Sequence, residues 1–409
     1  MKLKQSTGIK KKTYFDFTLF LTLFFLIAFG LVMIYTTSYY TASLTFDGDG
    51  LYYLKRQMIS TGAGLVVMTV AFFFPCEKYK KAAIILYLLS IISVLLILTP
   101  LGHTANGARR WLRIKGFSIQ PAEIVKVGVI IITAYLIDSW RNLSDKAKNS
   151  FKYIIVVLLP AFVAAMMILV ITSNLSSAII IGGIAYVMLL VSNPKCRKAY
   201  LLLFLLLLAG GAVVLYLYLK VSSGSEITSL SYRFERILAW FDPERYADGT
   251  GFQTLQALYG IGSGGFFGKG LGKSMQKLGF LPEANNDMIF SVICEELGLF
   301  GGLAVIIMFA ILLYRLFDIS KATKNYFCNL VVIGVFAHIA IQVVLNIAVV
   351  TNTIPNTGIS LPFISYGGSS VIFLLLEMGI VMNVARKADF TDLRKLRAKR
   401  LNAQSGDNE

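Results

Sequence analysis

Long apolar stretches, most of them free of charge, constrain this chain more than any other feature. Ten recur along the 409 residues, at 17–35, 58–74, 82–99, 121–137, 153–172, 177–191, 199–219, 288–314, 327–350 and 369–384. In lipid every backbone amide must be satisfied within its own segment, so each stretch is expected to be a helix. About 20 residues cross the hydrocarbon core. The second, fourth, sixth and last stretches are shorter, and are expected to tilt, extend or partly re-enter. A water-soluble chain of this size would need a far more polar surface than 56% apolar and 15% charged residues allow. The expectation is an all-α polytopic membrane protein with about ten transmembrane helices. The basic lead (Lys2, Lys4, Lys10, Lys11, Lys12) is followed by an apolar run too long for a secretory signal and without a small-residue cleavage pattern, which predicts an uncleaved first helix.

Lysine and arginine set the orientation. With the N-terminus inside, the inner segments carry 25 basic residues and the outer ones 13, while Lys126 lies within a span. Ten spans then leave both termini in the cytoplasm of a multi-pass protein of the bacterial cytoplasmic membrane. The formal net charge of +17 is therefore an orientation signal rather than a nucleic-acid footprint. Residues 1–386 form a single membrane domain, and 387–409 a basic cytoplasmic tail. A long outer loop, 220–286, joins helices 7 and 8 and holds seven of the outer cations. Four more stand together at Arg109, Arg110, Arg113 and Lys115. Loops of that length are functional or disordered, and Tyr232, Trp240, Tyr246 and Phe252 argue for order. Cys76, Cys196, Cys294 and Cys328 lack metal-ligand spacing and read as reduced structural thiols.

Three outer motifs hold the candidate chemistry. In 106–126, Gln120 and Pro121 fit a helix entry, which leaves the charges after them unexplained. Glu123 and Lys126 share a helix face and can pair. Ionisable groups inside a span are costly and face a cavity or pathway. In 279–298, Asp287 stands where the long loop meets the eighth span, and Glu283 follows Pro282. Two readings stay open there. Both carboxylates can stabilise a helix start, or, if the helix begins one turn early, they share one face at the water boundary and Asp287 is catalytic. Glu295 and Glu296 lie deeper, one of them facing an interior cavity. The glycine-rich 260–272 fails phosphate-loop spacing because Phe267 stands where a glycine is required, although its amides can still cradle a phosphate. The uncharged 354–370, with Pro355 and Pro362, cannot be ordinary helix and reads as an outer loop dipping inward. His103 and His338 read as structural.

Together these motifs resemble the SEDS family of FtsW, RodA and SpoVE. The likeness runs from Gly30-Leu-Val-Met-Ile-Tyr-Thr-Thr-Ser38 through Arg56-Gln57 and Arg236-Ile-Leu-Ala-Trp-Phe-Asp-Pro243, with Gln253 and Gln256, to Pro362-Phe-Ile-Ser365-Tyr-Gly-Gly-Ser-Ser370. It leans towards the FtsW/SpoVE branch. The resemblance implies a ten-helix peptidoglycan glycosyltransferase that polymerises lipid II on the outer face of the membrane during division or related septal wall synthesis. It also implies a class B penicillin-binding transpeptidase and other divisome proteins as partners. The essential aspartate of the family falls on Asp287, its fourth-helix pair on Glu123 and Lys126, and its Arg-Trp on Arg110-Trp111. Gln120, Gln253, Glu283 and Ser365 join Arg109 and Arg113 as candidate substrate contacts.

Three positions depart from the family pattern. Asn285-Asn286 replaces His-Thr, Asn174 replaces an acidic residue, and Pro355-Asn356 replaces Pro-Val. Joining two lipid II molecules expels undecaprenyl diphosphate, a leaving group that needs no acid, so one carboxylate base suffices where glycoside hydrolysis needs two carboxyls. Lys126 and the arginines can neutralise the charge growing on the diphosphate. A divalent cation, magnesium or manganese, can share that task, though the sequence shows no ligand set for it. The rival reading is a flippase for lipid-linked precursors, which calls for polar groups along a path through the whole bilayer.

Overall fold

In a computed structural model, residues 15–105, 108–114, 117–222 and 232–390 are described; the basic lead, Lys115 and most of the basic tail lie outside them. The membrane helices are α1 (Phe17–Thr45), α2 (Tyr52–Phe73), α3 (Cys76–Leu95), α4 (Pro121–Ser139), α6 (Phe151–Thr172), α7 (Leu175–Ser192), α8 (Arg197–Ser222), α11 (Ile289–Ala322), α12 (Tyr326–Val350) and α13 (Gly368–Lys387). The short α5 (Asp145–Lys148) links α4 to α6. Two helices, α9 (Tyr232–Phe241) and α10 (Phe252–Gly264), fall inside the long loop. Nine helices among the described residues are long and apolar enough to cross a membrane. The tenth, α4, is set apart by Glu123, Lys126 and Asp138, and it packs among α3, α6, α7, α12 and α13.

Local chemistry places the ends. Asp16 caps α1 by accepting from the Leu19 amide at 3.0 Å. Pro121 opens α4 at its first turn. Ser173, in the left-handed region, ends α6, and Asn174 at once caps α7 by accepting from Ser177 N. The amide at position 174 thus serves as a helix cap. α4, α12 and α13 are the most enclosed of the membrane helices, whereas α8 is apolar on all sides and exposed on nearly all of them, as a lipid-facing helix should be. At one end of the bundle Asp16 meets Arg315 at 2.5 Å, Lys387 meets Glu77, and Asp389 meets Lys324. Both ends of the described chain therefore lie together, as an even number of crossings requires.

Two features add detail to the helical plan. Three short strands, β1 (Gly102–Ala105), β2 (Ala108–Ile114) and β3 (Phe117–Ile119), pair as a small antiparallel sheet in the order β1-β2-β3. The eighth span is also not one straight rod. Its 34 residues would run about 50 Å, well beyond the ~30 Å of hydrocarbon, and the helix breaks at Gly298, where φ is +70°. The loop after α10 fills the break. Lys269 N and Gly270 N donate to Glu295 O and Glu296 O, and Leu299 N donates to Gly265 O, each at 2.9 Å. Two amides of the glycine-rich loop are therefore spent on α11 carbonyls rather than open to a phosphate.

Candidate active site

Asp287 lies in the turn that precedes α11, one residue before the helix cap. The cap, Met288, receives no side-chain hydrogen bond, and the helix begins at Ile289 rather than a turn earlier. The shared helical face expected of Glu283 and Asp287 is therefore not realised. The two are held instead by a tight turn: Glu283 sits at φ +55°, costly for a residue with a Cβ, and its carbonyl accepts from Asn286 N and Met288 N. The Asn286 amide also donates to the Glu283 carboxylate.

Three elements close on this turn. From α12, Asn346 is fully buried and donates to both Asp287 O and Ile359 O at 2.7 Å. From the irregular segment before α13, Ser365 Oγ donates to Asn286 O at 2.6 Å, and Tyr366 N to Asn285 O at 2.9 Å. From α10, Gln253 Nε2 stands 3.5 Å from Asp287 Oδ1. Close packing of α1 steadies the irregular segment, since a Cβ on Gly30 would come within 2.5 Å of Phe363 O. α9 clamps the segment from the other side, with Trp240 Nε1 on Asn352 O and Arg236 Nη1 on Asn356 O.

Asp287 is only 8% exposed. Burial, with the Glu283 carboxylate beside it, pushes its carboxyl up to about 7, against the pull of neighbouring backbone amides and the Arg236 guanidinium. A carboxylate tuned close to neutral pH is suited to taking and releasing a proton.

The second charged group lies one layer away. Lys126 Nζ meets Glu123 Oε1 at 2.7 Å, and Ser370 Oγ stands 3.4 Å from Glu123 Oε2. Gln120 precedes the first turn of α4, its backbone N–H donating to Ser369 Oγ. The segment 365–370 thus touches both groups, Asn286 through Ser365 and α4 through Ser369 and Ser370. The sheet residues are placed differently. Arg110 donates to Thr172 O and Ser173 O at the end of α6, and Arg109 to carbonyls of Thr99 and Gly102. Trp111 is half-buried, and Arg113 is exposed on the same strand. The contacts of Arg110 hold the sheet to the bundle, and those of Arg109 hold it to the turn after α3. Among the described residues no three His, Cys, Asp or Glu side chains group as a metal site, so no divalent-cation ligand set can be named.

Sequence reasoning passed over Asn346 and the partners of Glu295 and Glu296, and noted Asn356 only as a departure from the family pattern. Those two carboxylates are fully buried and pair with Lys269 at 2.7 Å and Lys277 at 2.8 Å, two of the seven loop cations that stood out as anomalous. His338 is also not alone, since Glu377 of α13 lies 2.9 Å from its Nδ1. Asn346 did carry a signal: His338, Gln342 and Asn346 recur every four residues and so share one buried face of α12.

Comparison with known proteins fits this architecture. A family model described as "Cell cycle protein", covering FtsW, RodA and SpoVE, matches residues 17–389. A probable peptidoglycan glycosyltransferase FtsW of Trichlorobacter lovleyi is 36% identical over 372 residues, 91% of this chain and 93% of that protein. Stage V sporulation protein E of Bacillus subtilis is 35% identical over 380 residues, 92% and 98% of the two chains. Among solved structures, a chain of a complex described as "Structural coordination of polymerization and crosslinking by a peptidoglycan synthase complex" is 26% identical at a TM-score of 0.69, covering 91% of this chain and 98% of that one. The Thermus thermophilus rod shape determining protein RodA shares the fold, at a TM-score of 0.63, 24% identity, and 91% and 97% coverage.

Proposed function

This chain belongs to the FtsW/RodA/SpoVE family, and from that premise we propose that it is a peptidoglycan glycosyltransferase that polymerises lipid II with Asp287 as its base. Asp287 takes the proton of the acceptor hydroxyl. The hydroxyl oxygen bonds to the anomeric carbon of the donor sugar from the face opposite the diphosphate. The bond from that carbon to the diphosphate oxygen breaks, its electron pair leaves with undecaprenyl diphosphate, and the configuration inverts. Lys126 supplies positive charge towards the diphosphate, and Arg109, Arg110 and Arg113 line the approach from the sheet. A class B transpeptidase cross-links the strands in the same complex. The observation that carries this reading is the burial of the Asp287 carboxylate where the 279–298 and 354–370 motifs meet α10 and α12.

Asp287→Asn keeps size and removes basicity. It should insert and fold normally and lose roughly 100-fold or more of its polymerisation rate. The parent rate should rise with pH through about 7 as the carboxyl loses its proton. The stability relation runs the other way. A carboxyl raised on folding contributes stability fully below its unfolded value, and that contribution is lost as pH climbs to about 7. Glycan chains made from lipid II by purified variants measure the rates, and Asp287→Asn within a few-fold of the parent would remove the base assignment.

The orientation that puts Asp287 outside rests on the 25-to-13 basic asymmetry. All four native cysteines are buried, so their reactivity does not report sidedness. A cysteine introduced at the exposed Asp248 should react with an impermeant thiol reagent in whole cells, and one at the exposed Asn142 only after permeabilisation. The reverse pattern would turn the molecule over and take the outer-face reaction with it.

A further inference from the structure

Asn356, Gln253 and Asp287 form a line of hydrogen bonds whose direction is set from the backbone outward. Asn356 Oδ1 accepts from Gly358 N at 3.1 Å, which leaves its NH2 end for Gln253 Oε1, at 2.7 Å. A primary amide has one accepting end and one donating end. With Oε1 occupied, the Gln253 NH2 faces Pro282 O at 3.3 Å and Asp287 Oδ1 at 3.5 Å. Turning that amide over would set its oxygen against two acceptors and its NH2 against the NH2 of Asn356. Arg236 anchors the far end by donating to Asn356 O at 3.2 Å.

The two oxygens of Asp287 are therefore unequal. Oδ1 faces the donor on Gln253. Oδ2 faces Gly358, where even a Cβ would stand 3.6 Å away, so a small group has room beside it. We propose that Asn356, acting through Gln253, is a positioning residue for Asp287: it keeps a donor on Oδ1, so that Oδ2 is the oxygen that receives the acceptor's proton. This rests on Asp287 being the base. The 3.5 Å separation is long for a hydrogen bond, as catalytic contacts often are before substrate closes the site.

Its signature is a pH effect. The groups facing Asp287 are Glu283 across the turn, Arg236 of α9, Gln253 of α10, and Asn346 of α12 on its main-chain oxygen. A donor on the carboxylate favours the ionised form, and a carbonyl in its place disfavours it. Asn356→Val removes the constraint without adding charge. Asn356→Asp replaces the donor with an acceptor, which turns the Gln253 carbonyl towards Asp287. Gln253→Met deletes the donor itself.

Lipid II polymerisation by these three purified variants and by Asp287→Asn, across a pH series spanning the Asp287 midpoint, tests the inference. Asn356→Val and Gln253→Met should raise the midpoint by about 0.5–1 pH unit, and Asn356→Asp by more. At neutral pH kcat should fall by roughly 3- to 10-fold while KM for lipid II stays within about 2-fold. A merely structural Asn356 would lower the yield of folded protein and leave the midpoint in place. An unmoved midpoint in Asn356→Asp, with Asp287→Asn inactive, would overturn the positioning role and leave the base intact. Activity in Asp287→Asn would overturn both.

Discussion

Two sets of ion pairs look alike in the structure, each a carboxylate and a lysine drawn largely out of water, and they differ in what they stand beside. Glu295 is saturated: Lys269, the Ser274 hydroxyl and the amides of Met275 and Gln276 all donate to it. Such a carboxylate has nothing left for a ligand. Together with Glu296 and Lys277 it binds the loop after α10 onto the break in α11. Lys126 is 2% exposed and, among the described residues, has Glu123 as its one ion-pair partner. An ammonium has three donors, so this one retains capacity, and it does so beside the segment that also holds Asp287. Burial alone does not mark a functional charge. Position separates the two sets: Lys126 stands beside the segment that also holds Asp287, whereas Glu296, whose Oε2 likewise lacks a hydrogen-bond partner among the described residues, and Lys277 lie at the break in α11.

The largest effect that can break this comparison is expected at Lys126. Lys126→Ala should abolish polymerisation and, by stranding Glu123, cost about 3–5 kcal/mol of stability. The double variant Glu123→Gln with Lys126→Met separates the two losses, because replacing a buried pair by groups of similar volume is often close to neutral. It should fold with parental thermal stability and remain inactive. Restored polymerisation would make the α4 pair as structural as the loop pairs and end its diphosphate role.

Smaller effects are expected on the loop side, and in stability rather than chemistry. Glu296→Gln strands Lys277, whose side chain is 8% exposed, and should cost about 3–5 kcal/mol, read as a lower melting temperature in detergent. Lys269→Met should cost less, about 1–2 kcal/mol, because the Lys269 side chain is 34% exposed and the three other donors still satisfy Glu295. Folded molecules of both variants should polymerise within about 3-fold of the parent, since neither side chain meets Asp287 or Lys126. A larger rate loss in folded Lys269→Met would show that the loop cations take part in the reaction, and the comparison would have to be redrawn.

Most helices were legible because each spanning segment satisfies its own backbone, so apolar length is enough to announce it. The exceptions are instructive. α1 runs ten residues past the apolar stretch that ended at Tyr35. Its extension is rich in Thr and Ser, whose hydroxyls fold back on the helix, as in Thr37 Oγ1 to Met33 O and Ser38 Oγ to Ile34 O. Polar composition hid a helix that supplies its own partners. The Glu123–Lys126 pair was readable because three residues separate its members. The partners of Glu295 and Glu296 were not, because they lie 26 and 19 residues earlier in a loop without periodicity.

By itself, then, the sequence determined the class of molecule, the number of membrane helices, the parity of its ends and the α4 ion pair. All of these depend on local hydrophobicity or on spacing within one helix. It also marked Asp287 as a candidate, leaving a helix-start role equally open. Only the tertiary structure shows where that carboxylate sits, one residue before the helix cap and among Gln253, Glu283 and the backbone held by Asn346. The proton affinity of a carboxyl depends on what excludes water from it and which charges face it. Those neighbours arrive from segments tens of residues away in the chain, where no local pattern records that they will meet.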